Sequence, residues 1–244
     1  MMPYRYLHLE KVDSTNSYMQ EMPEQERISC VVCTDEQTAG KGMGSNHWES
    51  SPGMNLTFSM GVDMSFLKAA DQFLLSQAVP LGLLDVLDGM LPQKAFLKWP
   101  NDIVVDGRKL AGVLINSTIH GPMMGVSVVG IGLNVNQMQF QDWPTHPVSL
   151  KRILGRDVDL EPVLQRLVAA VGLRVQQLRT DEGIDKVKKE YLDRLYRYRV
   201  WADYEVDGVR VKRFITGIDQ FGRLETLDES GVKEVYDIKE IKFV

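Results

Sequence analysis

Short segments rich in strand-type apolar residues recur along the chain and predict β-strands. They are residues 4–9, 30–34, 54–62 and 123–135. Further apolar runs lie on either side of Asp106-Gly107, a dipeptide that favours the left-handed backbone of a two-residue hairpin turn. We therefore expect a β-sheet that contains at least one tight hairpin.

Three longer segments predict helices that pack on this sheet. Residues 67–91 are apolar on nearly every side, as expected of a helix buried against a sheet. Residues 161–178 and 182–195 place apolar side chains at helical spacing. A short helix ending near Met22 is expected after residues 13–16, whose polar side chains offer several possible N-caps.

The spacing of apolar residues changes near residues 196–199, from a helical pattern to a strand pattern. From residue 200 onwards, short alternating strands are separated by turn signals at Asp207-Gly208, Phe221-Gly222 and Ser230-Gly231. This pattern predicts a small β-barrel of its own. The expected fold class is α/β (α+β): a catalytic-type domain over residues 1–196, with a mixed sheet flanked by helices, and a small C-terminal barrel over residues 197–244.

Composition narrows the classes of function. The 244 residues carry a net charge of -5, which disfavours a sequence-independent grip on nucleic acid. No secretory signal or membrane-spanning apolar stretch is present in the sequence, so we expect a cytoplasmic protein. Cys30 and Cys33 lie three apart in a predicted strand and face opposite ways, which disfavours a disulfide or metal pair.

The hairpin region carries the most promising chemistry. Lys98, Asp102 and Lys109 are charged residues on what should be the rigid backbone of the hairpin. Pro100 cannot donate a strand hydrogen bond, so it should interrupt regular pairing and leave the residues after it at a strand margin, where a polar pocket could lie. Each charge alone is typical of a solvated surface. Together with Gly112, whose lack of a side chain leaves room for a close approach, they indicate a ligand site.

A glycine-rich loop precedes the third predicted strand. Its core, residues 40–44, resembles a phosphate cradle in composition but has neither the P-loop spacing nor the dinucleotide-binding spacing. One interpretation is a mobile surface loop. The other is a lid that folds over a ligand and is anchored at one end by Trp48. Residues 13–16 and Asn134 similarly allow either a structural or a ligand-binding interpretation.

Several motifs together resemble the catalytic module of the biotin protein ligases, also called biotin-[acetyl-CoA-carboxylase] ligases. The matching segments are DSTNSY, the QTAGKG loop through Trp48, SPGMNLTFSM, KWPND with RKLAG, GIGLN, and GIDQFGRLETLDESG. The resemblance covers essentially the whole chain, and KWPND followed by KLAG is highly specific. It implies the class II synthetase-like catalytic fold, a Src-homology-3-like barrel, and a short form of the enzyme without a DNA-binding domain.

The resemblance also implies a two-step reaction. Biotin's carboxylate attacks the α-phosphate of ATP to give biotinyl-5′-adenylate and pyrophosphate. A lysine of a biotin carboxyl carrier protein then attacks the adenylate and releases AMP. Mg²⁺ is the expected cofactor, and the carrier domain of acetyl-CoA carboxylase or a related carboxylase is the expected partner. A homodimer is possible, and neither nucleic acid nor a membrane is expected as a partner.

The resemblance assigns roles to individual residues. Lys98 is expected to contact the biotin carboxylate and the α-phosphate, with Lys109 adding charge and Asp102 acting as a base or holding Mg²⁺; these are the expected catalytic residues. The expected biotin-binding residues are Ser14, Thr15, Asn16, Gln37, Gly40, Lys41, Gly42, Met43, Lys98 and Gly112. The expected ATP-binding residues are Lys41, Lys98, Asn101, Lys109 and Asn134, and the expected metal ligands are Asp102 and Asn134.

The chain departs from the family pattern in two places. Many members have GRGRRGR where this chain has GKGMGSN, so Lys41 and Met43 replace arginines. We hypothesise that the closed loop holds the adenylate less through ion pairs and more through backbone amides and Met43 packing. Some relatives place a nucleotide-binding arginine at the C-terminal end, where this sequence has Val244. Trp143 is a candidate for stacking on adenine or for ordinary packing.

Two other functions deserve a test. A lipoate-protein ligase shares the general fold and the acyl-adenylate strategy, but its RRxxGGGxVxHD loop is absent from the sequence, whereas KWPND is present. A non-catalytic regulatory protein would keep the biotin pocket and report its occupancy. The presence of Lys98, Asp102 and Lys109 favours a catalytic site over a pocket that only binds.

Overall fold

A computed structural model describes residues 4–141 and 146–244. Within these residues the larger sheet is seven-stranded, in the order β1-β2-β3-β7-β6-β5-β4. Its strands are β1 (Arg5–Val12), β2 (Cys30–Gln37), β3 (Leu56–Asp63), β4 (Phe96–Lys98), β5 (Asp102–Val105), β6 (Arg108–His120) and β7 (Met123–Leu133). Strands β1 and β2 are parallel and the other pairs are antiparallel. The predicted mixed sheet is therefore confirmed.

Helices flank this sheet. They are α1 (Thr15–Glu21), α2 (Glu24–Arg27), α3 (Phe73–Leu87), α4 (Leu150–Leu154), α5 (Leu160–Gln177) and α6 (Asp181–Asp193). Ser14 caps α1, since its side chain accepts from Ser17 N. The short helices α2 and α4 were not predicted.

Helix α3 is shorter than the predicted span of residues 67–91. Leu67 O accepts from Met124 N, and Lys68 forms a β-bridge with Met123, so the backbone there belongs to the sheet margin. A separate 3-10 turn, Ala69–Asp71, precedes the helix. The apolar pattern thus marked buried residues correctly but overestimated the length of the helix.

The central hairpin matches its prediction. Asp106 and Gly107 both adopt left-handed backbone, with φ of 50° and 72°. Across β4 and β5, Lys98 pairs with Asp102, and across β5 and β6, Asp102 pairs with Gly112. The register therefore places Asp102 directly between the two strands that carry the predicted lysines.

A second sheet follows, and in the described part of the chain it is five-stranded and antiparallel, in the order β11-β10-β9-β8-β12. Its strands are β8 (Trp201–Val206), β9 (Val209–Ile218), β10 (Leu224–Leu227), β11 (Lys233–Tyr236) and β12 (Ile241–Phe243). This architecture is consistent with the Src-homology-3-like domain that was predicted. The domain limits of residues 1–196 and 197–244 stay a prediction.

The two sheets share one hydrophobic core. Barrel residues such as Ile215 and Leu224 belong to the same buried cluster as the helices and strands of the larger unit. The buried Trp99 Nε1 donates to Gly222 O at 2.8 Å, which joins the hairpin to a barrel turn. The loop that precedes β10 is thereby fixed against the KWPND segment.

Two expectations from composition can be compared with the structure. Cys30 and Cys33 are both free cysteines, and they pack into different apolar clusters, as their spacing predicted. Across residues 4–141 and 146–244, no helix combines the length and the apolar character that a membrane crossing requires.

Candidate active site

A cavity of about 120 Å³ lies between the start of α1, the glycine loop and the hairpin. Strands β3, β6 and β7 form its floor. Most of the predicted site residues line it. These residues are Ser14, Thr15, Asn16, Gln37, Lys41, Gly42, Met43, Asn101, Asp102, Lys109 and Gly112.

One end of the cavity is polar and uncharged. Gln37 Oε1 accepts from Thr15 N at 2.8 Å and from Thr15 Oγ1 at 3.2 Å. The Thr15 hydroxyl also contacts the buried Ser59 hydroxyl at 2.9 Å. Asn16 Nδ2 donates to Leu114 O at 3.4 Å. These bonds fix the orientation of the groups, and buried polar groups held in this way can recognise the hydrogen-bonding pattern of a ligand.

The opposite end of the cavity is charged. Lys109 Nζ and Asp102 Oδ1 form an ion pair at 2.7 Å, with side chains that are 23% and 16% exposed. Partial burial weakens screening by water, so this pair interacts more strongly than a surface pair. An anion that entered this end would compete with Asp102 for the Lys109 ammonium.

Trp48 forms a wall of the cavity, and its indole ring packs against two glycines. Gly112 and Gly132 face each other across β6 and β7. A Cβ on Gly132 would lie 2.3 Å from Trp48 Cε2, and a Cβ on Gly112 would lie 3.3 Å from Trp48 Cζ3. Lys109 Nζ lies 5.6 Å from the centre of a Trp48 ring. The two glycines therefore allow the indole to reach the strands beside the ion pair.

The glycine loop closes on itself above the cavity. Lys41 and His47 form a β-bridge, and Gly42 N donates to Asn46 O at 2.8 Å. Gly44, at the tip, adopts left-handed backbone, and a Cβ there would lie 2.9 Å from Lys239 Nζ of the barrel. The loop is thus a small hairpin that lines the cavity and also contacts Lys239, between the last two strands of the second sheet.

Three predicted residues do not line the cavity. Gly40 supports the loop, since its O accepts from Trp48 N at 2.9 Å. Asn134 is buried, and its Nδ2 donates to Lys109 O at 3.3 Å, so it holds the backbone of the catalytic candidate. Lys98 lies beside the barrel, with its Nζ 5.2 Å from the centre of the Phe243 ring.

The surroundings of Lys98 act on its charge. Burial lowers the pKa of Lys98 below its ordinary value, Asp102 acts in the opposite direction, and Arg197 and Lys109 lower the pKa further. The structure therefore brings Lys109, rather than Lys98, to the cavity wall, whereas the sequence had made Lys98 the leading candidate.

Several lining residues were not predicted. They are Asn46, His47, Thr57, Phe58, Val113, Leu114, Gly130, Ile131 and Gly132. The alternating glycines of GIGLN could have indicated that Gly130 and Gly132 both face the cavity, because residues two apart on a strand share one face. No comparable pattern indicated that Thr57 and Phe58 line the cavity, because nearly every residue of their strand, β3, is buried.

The predicted metal ligands are not brought into one cavity. Asp102 lines it and Asn134 does not. The residues that the structure describes contain no group of three or more His, Cys, Asp or Glu side chains that could hold a metal ion. Any metal here would depend on Asp102 and on oxygens of a ligand. Trp143, the candidate for adenine stacking, lies outside the described residues.

Sequence comparison identifies the family. The model of the biotin/lipoate A/B protein ligase family matches residues 9–136. A biotin-[acetyl-CoA-carboxylase] ligase of Paracoccus denitrificans is 30% identical over 244 residues, which cover 96% of this chain and 99% of that protein. The chain belongs to the biotin/lipoate A/B protein ligase family.

Other relatives are longer. The bifunctional ligase/repressor BirA of Bacillus spizizenii is 26% identical over 84% of this chain, and the match spans 64% of that protein's length. Among solved structures, the biotin protein ligase from Aquifex aeolicus in complex with biotin and ATP has a TM-score of 0.79 at 21% identity, covering 97% of each chain. That likeness shows the shared fold.

Proposed function

We propose that this protein is an ATP-dependent biotin protein ligase. It activates biotin as biotinyl-5′-AMP and then transfers biotin to a lysine of a biotin carboxyl carrier domain. The observation that carries this proposal is a single cavity that joins a neutral polar end, around Thr15 and Gln37, to a charged end with Lys109 and Asp102. Biotin has the matching asymmetry: a polar ring at one end and a carboxylate at the other.

The polar end favours biotin over lipoate. A ureido ring carries both N–H donors and a carbonyl acceptor, which the Thr15, Asn16 and Gln37 side chains can bind. The dithiolane ring of lipoate has no such groups. It would therefore gain no hydrogen bonds from these side chains, and its affinity for this end of the cavity should be lower than that of biotin.

The charged end supplies the chemistry for the first step. A carboxylate and a phosphate must approach each other, and both are anions. The Lys109 ammonium at the cavity wall would draw the two oxygens together and offset the charge that develops in the transition state. Asp102 holds that ammonium in place before ligand arrives.

Asp102 also suits the second step. The attacking amine of the carrier lysine must lose its proton, and the Asp102 carboxylate lies at the charged end of the cavity, where the adenylate would be attacked.

The remaining parts of the proposal concern the cofactor and the setting. Mg²⁺ usually binds through substrate phosphates and one or two carboxylates, and Asp102 is positioned to supply one of them. Bound there, the ion would offset phosphate charge. We further propose a cytoplasmic location, where ATP and the carrier protein of a biotin-dependent carboxylase are both present.

A two-stage assay tests the proposal. The protein is first incubated with ATP, Mg²⁺ and either biotin or lipoate, and pyrophosphate release is measured. A carrier domain and labelled biotin are then added. Release with biotin, followed by label on one carrier lysine, is the expected result. Turnover with lipoate alone would reassign the substrate, and biotin binding without pyrophosphate release would indicate a regulatory protein.

A further inference from the structure

The turn between β11 and β12, residues 237–240, extends from the barrel onto the glycine loop. Its shape is fixed by local bonds, since Asp237 Oδ1 accepts from Ile238 N at 2.9 Å and Asp237 O accepts from Glu240 N at 3.1 Å. Lys239 has left-handed backbone, with φ of 77°, which is uncommon for a residue with a side chain. The turn therefore holds Ile238 and Lys239 in defined positions.

These two residues contact neighbouring residues of the glycine loop. A Cβ on Gly44, at the loop tip, would lie 2.9 Å from Lys239 Nζ and 3.2 Å from Lys239 Cε. Ile238 and Met43 line the same apolar groove, a space of about 150 Å³ next to the cavity. The end of the lysine side chain thus lies against the loop tip, and the isoleucine lies across the groove from the residue before it.

The barrel is itself held in place by a second turn. Trp99 Nε1 donates to Gly222 O at 2.8 Å, and a Cβ on Gly222 would lie 2.4 Å from Cδ2 of Phe73, the first residue of α3. Phe73 also lines the groove that Ile238 and Met43 share. Because the barrel packs this closely on α3 and on the hairpin region, the β11–β12 turn is a fixed surface for the loop.

The glycine loop needs such a surface. It is a short hairpin closed by the bridge between Lys41 and His47, and residues 44–47 are exposed. A single two-stranded hairpin is marginally stable at best in water, and exposed segments of this kind open locally at low cost. The fraction of time that the loop stays closed therefore depends on its contacts with the rest of the protein.

We propose that the β11–β12 turn keeps the glycine loop closed over the cavity, with Lys239 as a positioning residue. This inference rests on the proposed ligase function, because it gives the barrel control over how long the acyl-adenylate stays in the cavity. A loop that opens more often binds biotin less tightly, since only the closed fraction is competent. The residues around the reacting atoms are unchanged, so the kcat of adenylation should stay the same.

The first test needs no ligand. Trypsin cleaves after Lys41, whose side chain is exposed but whose backbone is bridged to His47, so the loop must open before it is cut. The rate at which the fragment ending at Lys41 appears then reports the open fraction. Lys239→Ala and Ile238→Ala should each raise this rate about fivefold, which corresponds to about 1 kcal/mol.

Three variants serve as comparisons. Lys233→Ala and Val235→Ala change exposed residues of β11 in the same barrel, and both should be cut at the wild-type rate. Lys239→Met keeps an unbranched stem against the loop tip and should stay within about twofold of wild type. Since Ile238 and Lys239 are exposed, all variants should keep the Tm of the wild type.

The second test measures the consequence for the ligand. Labelled biotinyl-5′-adenylate should leave Lys239→Ala and Ile238→Ala about fivefold faster than the wild type, and the KM for biotin should rise by the same factor. The kcat of pyrophosphate release should not change. A turn that only stabilises the barrel would instead lower Tm and leave the KM for biotin unaltered.

Three results would overturn the inference. One is cleavage of Lys239→Ala and Ile238→Ala within about twofold of wild type. Another is equal acceleration in the β11 controls, and the third is a Lys239→Met variant that is cut as fast as Lys239→Ala. If the wild type forms no adenylate, the proposed function is rejected, while the cleavage comparison still decides whether the turn holds the loop.

Discussion

The two ends of the cavity are built on different principles. At the polar end, Thr15, Gln37 and Ser59 satisfy one another through short hydrogen bonds, so the arrangement is complete before any ligand binds. At the charged end, the Asp102 carboxylate is paired with Lys109, and Lys41 adds a second positive charge to the cavity lining. The polar end is neutral and self-contained, whereas the charged end has an excess of positive charge.

This difference separates recognition from reactivity. A self-satisfied polar network has fixed directions and accepts only a ligand that matches them. An excess of positive charge attracts anions with less regard to their shape and stabilises a transition state that gathers negative charge. We therefore expect changes at the polar end to act on the KM for biotin and changes at the charged end to act on kcat.

The largest effect is expected from Lys109→Met. Met keeps an apolar stem against Trp48 and removes the ammonium. The kcat of adenylation should fall by about 100-fold or more, as is typical when a preorganised charge is lost from an active site. Pyrophosphate release measures this step. Lys94→Met, at an exposed lysine that lies over Phe96, is the control. An activity loss of less than tenfold would mean that Lys109 does not act on the reaction.

A large effect is also expected from Gly132→Ala. The new methyl group would lie 2.3 Å from Trp48, so the indole must move away from Gly132 and Gly112. Because a misplacement of about 1 Å can cost 100-fold, kcat/KM should fall by roughly ten- to 100-fold. Tryptophan fluorescence should shift with it. Gly89→Ala, where the nearest atom is 3.6 Å away, should change neither quantity. An unshifted spectrum with full activity would contradict the proposal that close packing of Trp48 against Gly132 is needed for activity.

A moderate effect, confined to biotin affinity, is expected from Thr15→Val. The change removes one hydroxyl that bonds Gln37 and Ser59. A buried hydrogen-bonding group contributes about 1–2 kcal/mol, so the KM for biotin should rise about tenfold with kcat nearly unchanged. Thr118→Val, near the far end of β6, is the control. A fall in kcat with an unaltered KM would reverse the roles assigned to the two ends.

The smallest effect is expected from Met43→Arg in the glycine loop. Met43 lines the cavity and also an adjoining apolar groove with Phe73, Pro80 and Ile238. An added guanidinium should slow release of the adenylate by a few-fold, since a solvent-accessible ion pair contributes about 1 kcal/mol or less. Release is followed with labelled adenylate by rapid dilution. Unchanged retention would show that charge in the loop does not hold the intermediate.

Local signals in the sequence located much of the fold and of the site. Asp106-Gly107 defined the hairpin because its turn requires left-handed backbone. Residues 14–16 line the cavity, since a helix start presents them together. Such features depend on a few neighbouring residues, and neighbouring residues can be read from a single sequence.

Features that depend on distant partners were not predictable in the same way. Lys98 Nζ lies 5.2 Å from the centre of the ring of Phe243, a residue of the last strand of the barrel that is far from Lys98 in the sequence. Asn134 holds the backbone of Lys109 instead of facing the cavity, and that role follows from the way β7 meets β6. The boundary of α3 was missed because a β-bridge to Met123 competes with helix formation there.

The contact between Trp99 and Gly222 limits how this protein can be shortened. A truncation that stops before the barrel would expose the Trp99 indole and the apolar residues that now pack around it. This would leave a large hydrophobic patch in contact with water. Such a fragment should aggregate when it is overproduced. The barrel is therefore better treated as an inseparable component when crystallisation fragments or fusion proteins are designed.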